Sequence, residues 1–236
     1  MQGFTKLPSA WIENEGLRAF RWANGGSDNI AALMTLAVIG HHIDPTTGIA
    51  RLRYDELSDM ASISRAKVSA GLKLLAGQGI VELGADGRGS YKLVNYNSEK
   101  GWAMLPARGL YRHGVVDAFT EFRLRRRAEL DAMKLYFLFV ARRSRDTNMA
   151  KIGYERIEHY SGVPRNNIRA ALSVLSANNL VYIEHVASTA SDLGVASAYR
   201  LAHLDNRSHM GTTGRGDDFA LDLAASGADP QPLTST

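Results

Sequence analysis

The stretch YDELSDMASISRAKVSAGLKLLAGQGIVEL, residues 54–83, decides the fold of this chain. Its apolar side chains Val68, Leu72 and Leu75 lie four and three residues apart, so they share one face of a helix. After Gly79, a residue typical of helix ends, apolar side chains take the spacing of a short strand. The stretch therefore predicts two short helices, joined by a tight turn, and then a strand.

The same pattern recurs 100 residues further on, in YERIEHYSGVPRNNIRAALSVLSANNLVYI (154–183). The windows 30–83 and 130–183 align without a gap, with nine identical positions among 54. So few identities decide little by themselves, but apolar residues also coincide, as at Ile63 and Val163. Two copies of one small fold, each with its own core, explain this coincidence most simply.

Outward from this stretch, both copies show the same order of predicted elements. A Leu-Pro dipeptide predicts an extended segment, followed by a long apolar helix, a strand, the two short helices and a two-stranded hairpin. In the first copy these are Leu7-Pro8, helix 29–42, strand 49–52, helices 54–61 and 65–77, and strands 80–83 and 91–94. In the second copy they are Leu105-Pro106, helix 130–143, strand 149–152, helices 154–161 and 165–178, and strands 180–183 and 199–201. The hairpin connection is short and glycine-rich in the first copy (84–90) and longer in the second (184–196).

Length and composition bound the protein further. The 236 residues suit two domains, predicted at 1–100 and 101–204, before a polar acidic tail at 205–236 that we expect to be disordered. The absence of cysteine excludes disulfides and thiolate metal sites and fits a reducing cytoplasm. No signal peptide is evident, and the longest apolar run, 30–40, is too short to span a membrane. We therefore expect a cytoplasmic, nucleoid-associated protein without a membrane partner.

The charge is unevenly distributed along the chain. The net charge is +4, and Lys and Arg outnumber Asp and Glu by 15 to 9 in residues 101–203, against 11 to 10 in residues 1–100. The remaining residues, 204–236, carry 2 basic and 5 acidic side chains. A basic globular part beside an acidic tail indicates a polyanionic partner, although solubility alone would also explain the charge.

The residues 54–83 resemble the core of a bacterial winged helix-turn-helix. The positions that carry the resemblance are Leu57, Ala61, Ile63, Ser64, Arg65, Leu72, Leu75 and Gly79-Ile80-Val81. The second copy is similar, but it has Pro164 in place of Ser64 and Asn179 in place of the usual glycine. The Leu-Pro entry and the long first helix are similar to those of helix-turn-helix domains common in phage and plasmid replication proteins.

Two tandem winged helices without a ligand domain also resemble plasmid replication initiators. The resemblance covers residues 5–203. It implies a mainly α fold with small β-wings (α+β), built from two tandem winged helix-turn-helix domains. It further implies a protein that binds specific double-stranded DNA of a mobile element (plasmid, phage or integrative element). At an origin or promoter, such a protein acts as a replication initiator or control protein.

Other functions stay open at this point. A dedicated transcription regulator, either a repressor or an activator, is equally compatible with these residues, whereas a protein-interaction scaffold predicts no salt-dependent DNA affinity. The sequence shows no Gly-x-Ser-x-Gly, HExxH or paired-carboxylate motif, so we expect neither an enzyme nor a cofactor. The oligomeric state, including a homodimer, is not determined by the sequence.

Reading duplex DNA requires polar side chains on the outer face of the recognition helix. With the apolar stripe inward, the first outer face is expected to carry Ser64, Arg65, Lys67, Ser69 and Lys73. The second is expected to carry Arg165, Asn166, Asn167, Arg169 and Ser173. Arginine pairs with guanine and asparagine with adenine, so the faces predict two unlike half-sites in successive major grooves. The alternative is an ordinary solvated helix face.

Further basic residues flank these helices. Arg88, at the tip of the connection 84–90, is placed for a phosphate or the minor groove, although its glycine neighbours also suit a plain hairpin. The connection 184–196 has no Lys or Arg, so we expect no phosphate contact there. The run 122–127 would neutralise several phosphates or would form a solvated face. Its basic side chains are Arg123, Arg125, Arg126 and Arg127.

Three remaining motifs are weaker. The adjacent His41 and His42 diverge on a helix and lack a third ligand, so no metal site is predicted. GTTGRG (211–216) lacks the Gly-Lys-Ser/Thr ending and the preceding strand of a phosphate loop. FALDL (219–223) is faintly similar to peptides that dock on the bacterial sliding clamp, without their glutamine and terminal aromatic residue. It leaves open a contact between the tail and the replication or transcription machinery.

Overall fold

The computed structural model describes residues 2–144, 147–187 and 195–204. This part of the chain is an α+β structure in which helices predominate and the strands form small antiparallel sheets. No helix within it is both long and apolar enough to cross a lipid bilayer. The predicted tail 205–236, with GTTGRG and FALDL, lies outside the described residues.

The first half of the chain contains an entry segment and a helical unit with a small sheet. Its elements are β1 (Phe4–Pro8), α1 (Ala10–Glu13), a 3-10 turn (Gly16–Ala19), α2 (Gly26–His41), β2 (Ile49–Arg51), α3 (Tyr54–Ala61), α4 (Arg65–Gly77), β3 (Val81–Leu83) and β4 (Ser90–Leu93). Strand β4 lies between β2 and β3 and is antiparallel to both. The bounds of α3 and α4 are those predicted.

The second half repeats this order after a longer entry segment. Its elements are β5 (Trp102–Pro106), a 3-10 turn (Arg108–Leu110), β6 (Tyr111–Arg112), β7 (Val115–Val116), a 3-10 turn (Asp117–Glu121), α5 (Arg127–Arg142), β8 (Met149–Lys151), α6 (Tyr154–Ser161), α7 (Arg165–Ala177), β9 (Val181–Ala187) and β10 (Val195–Leu201). Strand β10 lies between β8 and β9, as β4 does between β2 and β3.

The duplication is visible in the backbone as well as in the sequence. Residues 62 and 162 both adopt a left-handed conformation and end the helices α3 and α6, with φ of 53° and 65°. Residues 79 and 179 do the same after α4 and α7, with φ of 66° and 52°. A glycine or asparagine occupies three of these four positions because both tolerate positive φ. The predicted helix stops at Gly79 and Asn179 are therefore confirmed.

Two predictions of local structure need correction. The long helices begin earlier than expected, at Gly26 and Arg127, because the polar residues ahead of the apolar run form a first helical turn. The segment 184–196 is not entirely a loop, since β9 continues to Ala187 and β10 begins at Val195. Cross-strand pairing extends the strands beyond their buried residues, and the turn itself, 188–194, lies outside the described residues.

The two predicted extended segments are strands, and they pair with each other. In the antiparallel ladder of β1 and β5, Phe4 lies opposite Pro106, Lys6 opposite Met104, and Pro8 opposite Trp102. The ladder contributes to the interior, because Leu7 and Leu105 have no exposed surface. This pairing joins residues about a hundred positions apart, and nothing in the local sequence pattern signals it.

The prediction that each copy has its own core is wrong. The buried apolar residues form one continuous cluster that spans both halves. Helices α2 and α5 contact each other at its centre, and almost every residue of both is buried. Gly40 of α2 also approaches the second half closely, since an added Cβ would lie 2.8 Å from the side chain of Leu105 on β5. Chain position 100, the predicted domain boundary, therefore separates two repeats that share an interior.

Candidate functional site

Helix α4 is attached closely to α2. Val68, Leu72 and Leu75 are buried against the core, as the helical spacing predicted. Gly71 brings the two backbones together, since a Cβ built there would lie 2.9 Å from the Ala32 backbone. The Ser64 hydroxyl caps the helix by accepting a hydrogen bond from the Lys67 backbone N–H at 3.4 Å. The burial of one side leaves the opposite side of α4 toward solvent.

The first outer face is confirmed for three of its five expected members. Ser64, Arg65 and Lys73 are exposed, whereas Ser69 and Lys67 are half-buried. The expectation that Lys67 points outward needs correction, because its Nζ lies 2.6 Å from Asp28 Oδ1, at the first turn of α2. Position 67 adjoins the inward Val68, and at 100° per residue it falls at the edge of the face rather than on it.

The second outer face, on α7, is confirmed for four of its five expected members. Arg165, Asn166, Arg169 and Ser173 are exposed, and Asn167 is half-buried. The expectation for the equivalent residue Asn167 needs the same correction, because its amide Nδ2 lies 3.4 Å from Asp131 Oδ2 on α5. Equivalent residues 67 and 167 thus both reach a carboxylate of the long helix beneath them. The Ser173 hydroxyl donates to the Arg169 carbonyl at 3.0 Å, within α7.

Each recognition-helix candidate begins with an arginine that is ion-paired to the preceding helix. Arg65 pairs with Asp55 of α3, and this hydrogen-bonded carboxylate raises the pKa of Arg65. Arg165 pairs with Glu158 of α6 at 3.1 Å and with Glu155 at 3.7 Å. These side chains are largely exposed, and exposed ion pairs contribute about 0–1 kcal/mol. A phosphate or a base can therefore replace the carboxylate partner at little free-energy cost.

The arginine run leading into α5 is organised by a buried carboxylate. Glu129, which is 1% exposed, accepts backbone N–H groups from Arg123 and Arg125 at 2.8 Å and from Arg126 at 3.0 Å. All four arginine side chains of the run are exposed. The buried acid thus holds the segment in a turn while the cations remain in solvent.

The run also meets α7 in space. Asp131 Oδ2 lies 3.5 Å from the Arg127 Nε and 3.4 Å from the Asn167 amide nitrogen. Two candidate groups that are forty residues apart in sequence therefore share one carboxylate. Burial raises the pKa of Asp131 and lowers that of its neighbour Lys134 to about 8. Sequence patterns do not reveal these two residues, because both occur within an apolar helix.

Each wing has an ion pair between an acid and an arginine. Arg88 is exposed in the turn between β3 and β4, as predicted, with glycines of positive φ at positions 84, 87 and 89. Asp86 in the same turn pairs with Arg51 of β2, so the first wing carries both signs. In the second wing, Glu184 of β9 pairs with Arg200 of β10 across the hairpin. The tip of this second wing falls outside the described residues.

Exposed apolar side chains complete the surface and were not predicted. Tyr54 and Tyr154 open α3 and α6 at equivalent positions and are 42% and 37% exposed. Leu83, Tyr182 and Ile183 lie on the outer wing strands and are likewise exposed. The identity of residues 54 and 154 in the aligned copies is the signal that could have drawn attention to the tyrosine pair.

The two histidines contact Tyr111 of the second half. His41 Nδ1 lies 2.9 Å from the Tyr111 hydroxyl, which also lies 3.3 Å from His42 Nε2. Burial lowers the pKa of His41 to about 3, so the ring is neutral at physiological pH. Within the described ranges, no group of three or more potential ligands is arranged around a common metal position.

Comparison of the chain with protein-family models, with curated proteins and with solved structures finds no match. The geometry of the chain itself therefore carries the functional argument.

Proposed function

We propose that this protein binds specific sequences in double-stranded DNA through two tandem winged helix-turn-helix units. Helices α4 and α7 serve as recognition helices. The observation that carries the proposal is their equivalence: each follows a short helix and a left-handed turn, packs one side on a long helix, and exposes a polar face that begins with arginine. Such a face has the width and chemistry that the major groove accepts.

The supporting contacts with phosphate come from the flanking cations. Arg88 lies on the first wing, and Arg125, Arg126 and Arg127 lie where α5 begins; all four side chains are exposed. Phosphate neutralisation by several such residues makes binding steeply salt-dependent. A protein-interaction scaffold of the same fold has no reason to show that dependence.

The wider role that we propose is replication initiation or control for a plasmid, phage or integrative element. Its support is the likeness of the Leu-Pro entry and the long first helix to those of replication proteins. Footprinting on the DNA upstream of the gene tests the role. Several origin-like repeats are expected, whereas a single operator at the promoter would assign the protein to transcription regulation.

The DNA-binding proposal is tested by substitution of the two leading arginines. Arg65→Ala and Arg165→Ala are each expected to weaken binding to the selected site by about 1–3 kcal/mol, since each removes a charged, fork-shaped donor. The measurement is a titration of labelled duplex at several salt concentrations, with the thermal unfolding temperature of each variant as a check on folding.

The matched variants are Arg65→Lys and Arg165→Lys, which keep the charge but remove the paired donor geometry. A base contact is indicated if lysine fails to restore discrimination between cognate and mutated sites. A phosphate contact is indicated if lysine restores affinity. Unchanged binding by both alanine variants would show that α4 and α7 are not part of the DNA interface.

A further inference from the structure

The ladder between β1 and β5 has two-fold symmetry. The equivalent prolines are Pro8 and Pro106, which both follow a buried leucine. Pro8 lies opposite Trp102, four residues before Pro106, and Pro106 lies opposite Phe4, four residues before Pro8. A two-fold rotation through the Lys6–Met104 pair would therefore place β1 on β5 and β5 on β1.

The segments that follow these strands are exchanged between the halves. In the first half, the 3-10 turn Gly16–Ala19 lies on α6 of the second half, where the Arg18 guanidinium donates to the His159 carbonyl at 2.9 Å. In the second half, β7 lies on α3 of the first. The helices α3 and α6 are the equivalent first helices of the two helix-turn-helix units. Each half thus packs against the helix-turn-helix unit of the other half.

The aromatic contacts repeat the exchange. Trp11 packs on Phe137 of α5, with ring centroids 6.1 Å apart, and Tyr111 packs on His41 of α2, at 5.4 Å. If the two halves were related by a translation instead, the segment after β5 would lie away from the first half. It could not then make the contact of Tyr111 with α2. Reciprocal contacts of this kind are the signature of an isologous, two-fold interface.

The proposed recognition helices α4 and α7 follow the same two-fold relation. Helix α4 is fixed to α2 by the backbone contact at Gly71, and α7 is fixed to α5 by the buried residues Ile168 and Ala171. Helices α2 and α5 in turn contact each other at the centre of the shared core. The chain is therefore arranged as a fused dimer with a pseudo-two-fold axis.

We propose that the DNA site of this protein is an imperfect inverted repeat that a single chain reads across its pseudo-two-fold axis. The inference rests on the proposed function and adds the symmetry of the target. Duplex DNA has local two-fold axes, so a two-fold protein presents both recognition helices equivalently only to inverted half-sites, with centres about 10 base pairs or a multiple apart. The halves differ because α4 exposes Lys73 where α7 exposes Ser173, and α7 exposes Asn166 where α4 has Ala66.

The test begins with selection of bound duplexes from a random library by the full chain. The best site is then compared with a duplex in which one half-site is reversed, which converts an inverted into a direct repeat of the same composition and spacing. We expect the reversal to reduce affinity at least tenfold, to the level of an isolated half-site. Sedimentation is expected to show one chain per duplex.

Hydroxyl-radical footprints of Arg65→Ala and Arg165→Ala locate the two helices on the selected site. Protection is expected to weaken at positions related by the dyad, on opposite strands, with one half-site affected by each variant. Loss at positions related by translation on the same strand, tolerance of the reversal, or two chains on one inverted site would each overturn the inference while leaving the proposed function standing. Failure to enrich any duplex, with no salt-dependent binding, would overturn the proposed function itself.

Discussion

At the scale of single residues, Gly71 decides how closely α4 approaches α2. The equivalent residue in the second copy is Ala171, which is also buried but carries a methyl group. The glycine permits the backbone of α4 to lie against Ala31 and Ala32, and any side chain would require the helices to move apart. From the sequence alone, Gly71 is only a residue of low helix propensity.

The substitution Gly71→Ala is expected to destabilise the protein by about 1–3 kcal/mol, because the new methyl group overpacks a contact with backbone atoms. Gly77→Ala is the matched control in the same helix, since nothing lies within 4 Å of its Cβ position. The control is expected to stabilise the protein by about 0.5–1 kcal/mol through helix propensity. Urea unfolding measures both, and equal effects of the two substitutions would contradict the packing explanation.

At the scale of elements, the turn before α5 depends on one buried carboxylate. The side chain of Glu129 replaces water for three backbone N–H groups and lies in the first turn of α5, where the helix dipole favours an anion. The exposed arginines of the run owe their placement to this turn. The sequence shows the run of charge but not the acid that shapes it.

Glu129→Gln is expected to cost about 1–3 kcal/mol of unfolding free energy, because charge-assisted hydrogen bonds in the interior are lost. Under the proposed function it is also expected to reduce the dependence of DNA binding on salt, since the arginines lose their common orientation. Glu121→Gln, an exposed glutamate just before the run, serves as the control and is expected to change stability by less than about 0.5 kcal/mol. A Glu129→Gln variant as stable as the control would show that the turn forms without the acid.

At the scale of the whole molecule, Lys134 joins the two halves. It is a buried residue of α5, and its ammonium donates to the Phe20 carbonyl of the first half at 3.1 Å. Burial lowers its pKa to about 8, compared with 10.5 in an unfolded chain. Between these values the unfolded state binds more protons than the folded state, so the free energy of unfolding rises with pH.

We expect this free energy to rise by about 1–2 kcal/mol between pH 8 and pH 9.5, from the linkage of one shifted lysine. Lys134→Met is expected to remove the rise, whatever its effect on stability at pH 8. The exposed Lys151→Met is expected to retain the rise of the unaltered chain. Urea unfolding at several pH values measures all three, and an unchanged slope in Lys134→Met would assign the pH dependence elsewhere.

The repeat, the order of elements, the bounds of the short helices and most of the outward polar residues follow from the sequence by itself. They do so because helical and strand spacing, glycine at positive φ and the apolar stripes are properties of neighbouring residues. Pairs such as 62/162 and 79/179 could be located for the same reason, since each is a local backbone requirement.

Only the tertiary structure decided how the two copies combine. The pairing of β1 with β5, the shared core around α2 and α5, and the meeting of Arg127 with Asn167 at Asp131 join residues far apart in sequence. Local spacing cannot encode such contacts, because they depend on which apolar faces find each other when water is excluded. The half-burial of Lys67 and Asn167 has the same origin: the long helix that covers them is placed by the core of the whole molecule and not by the helix on which they lie.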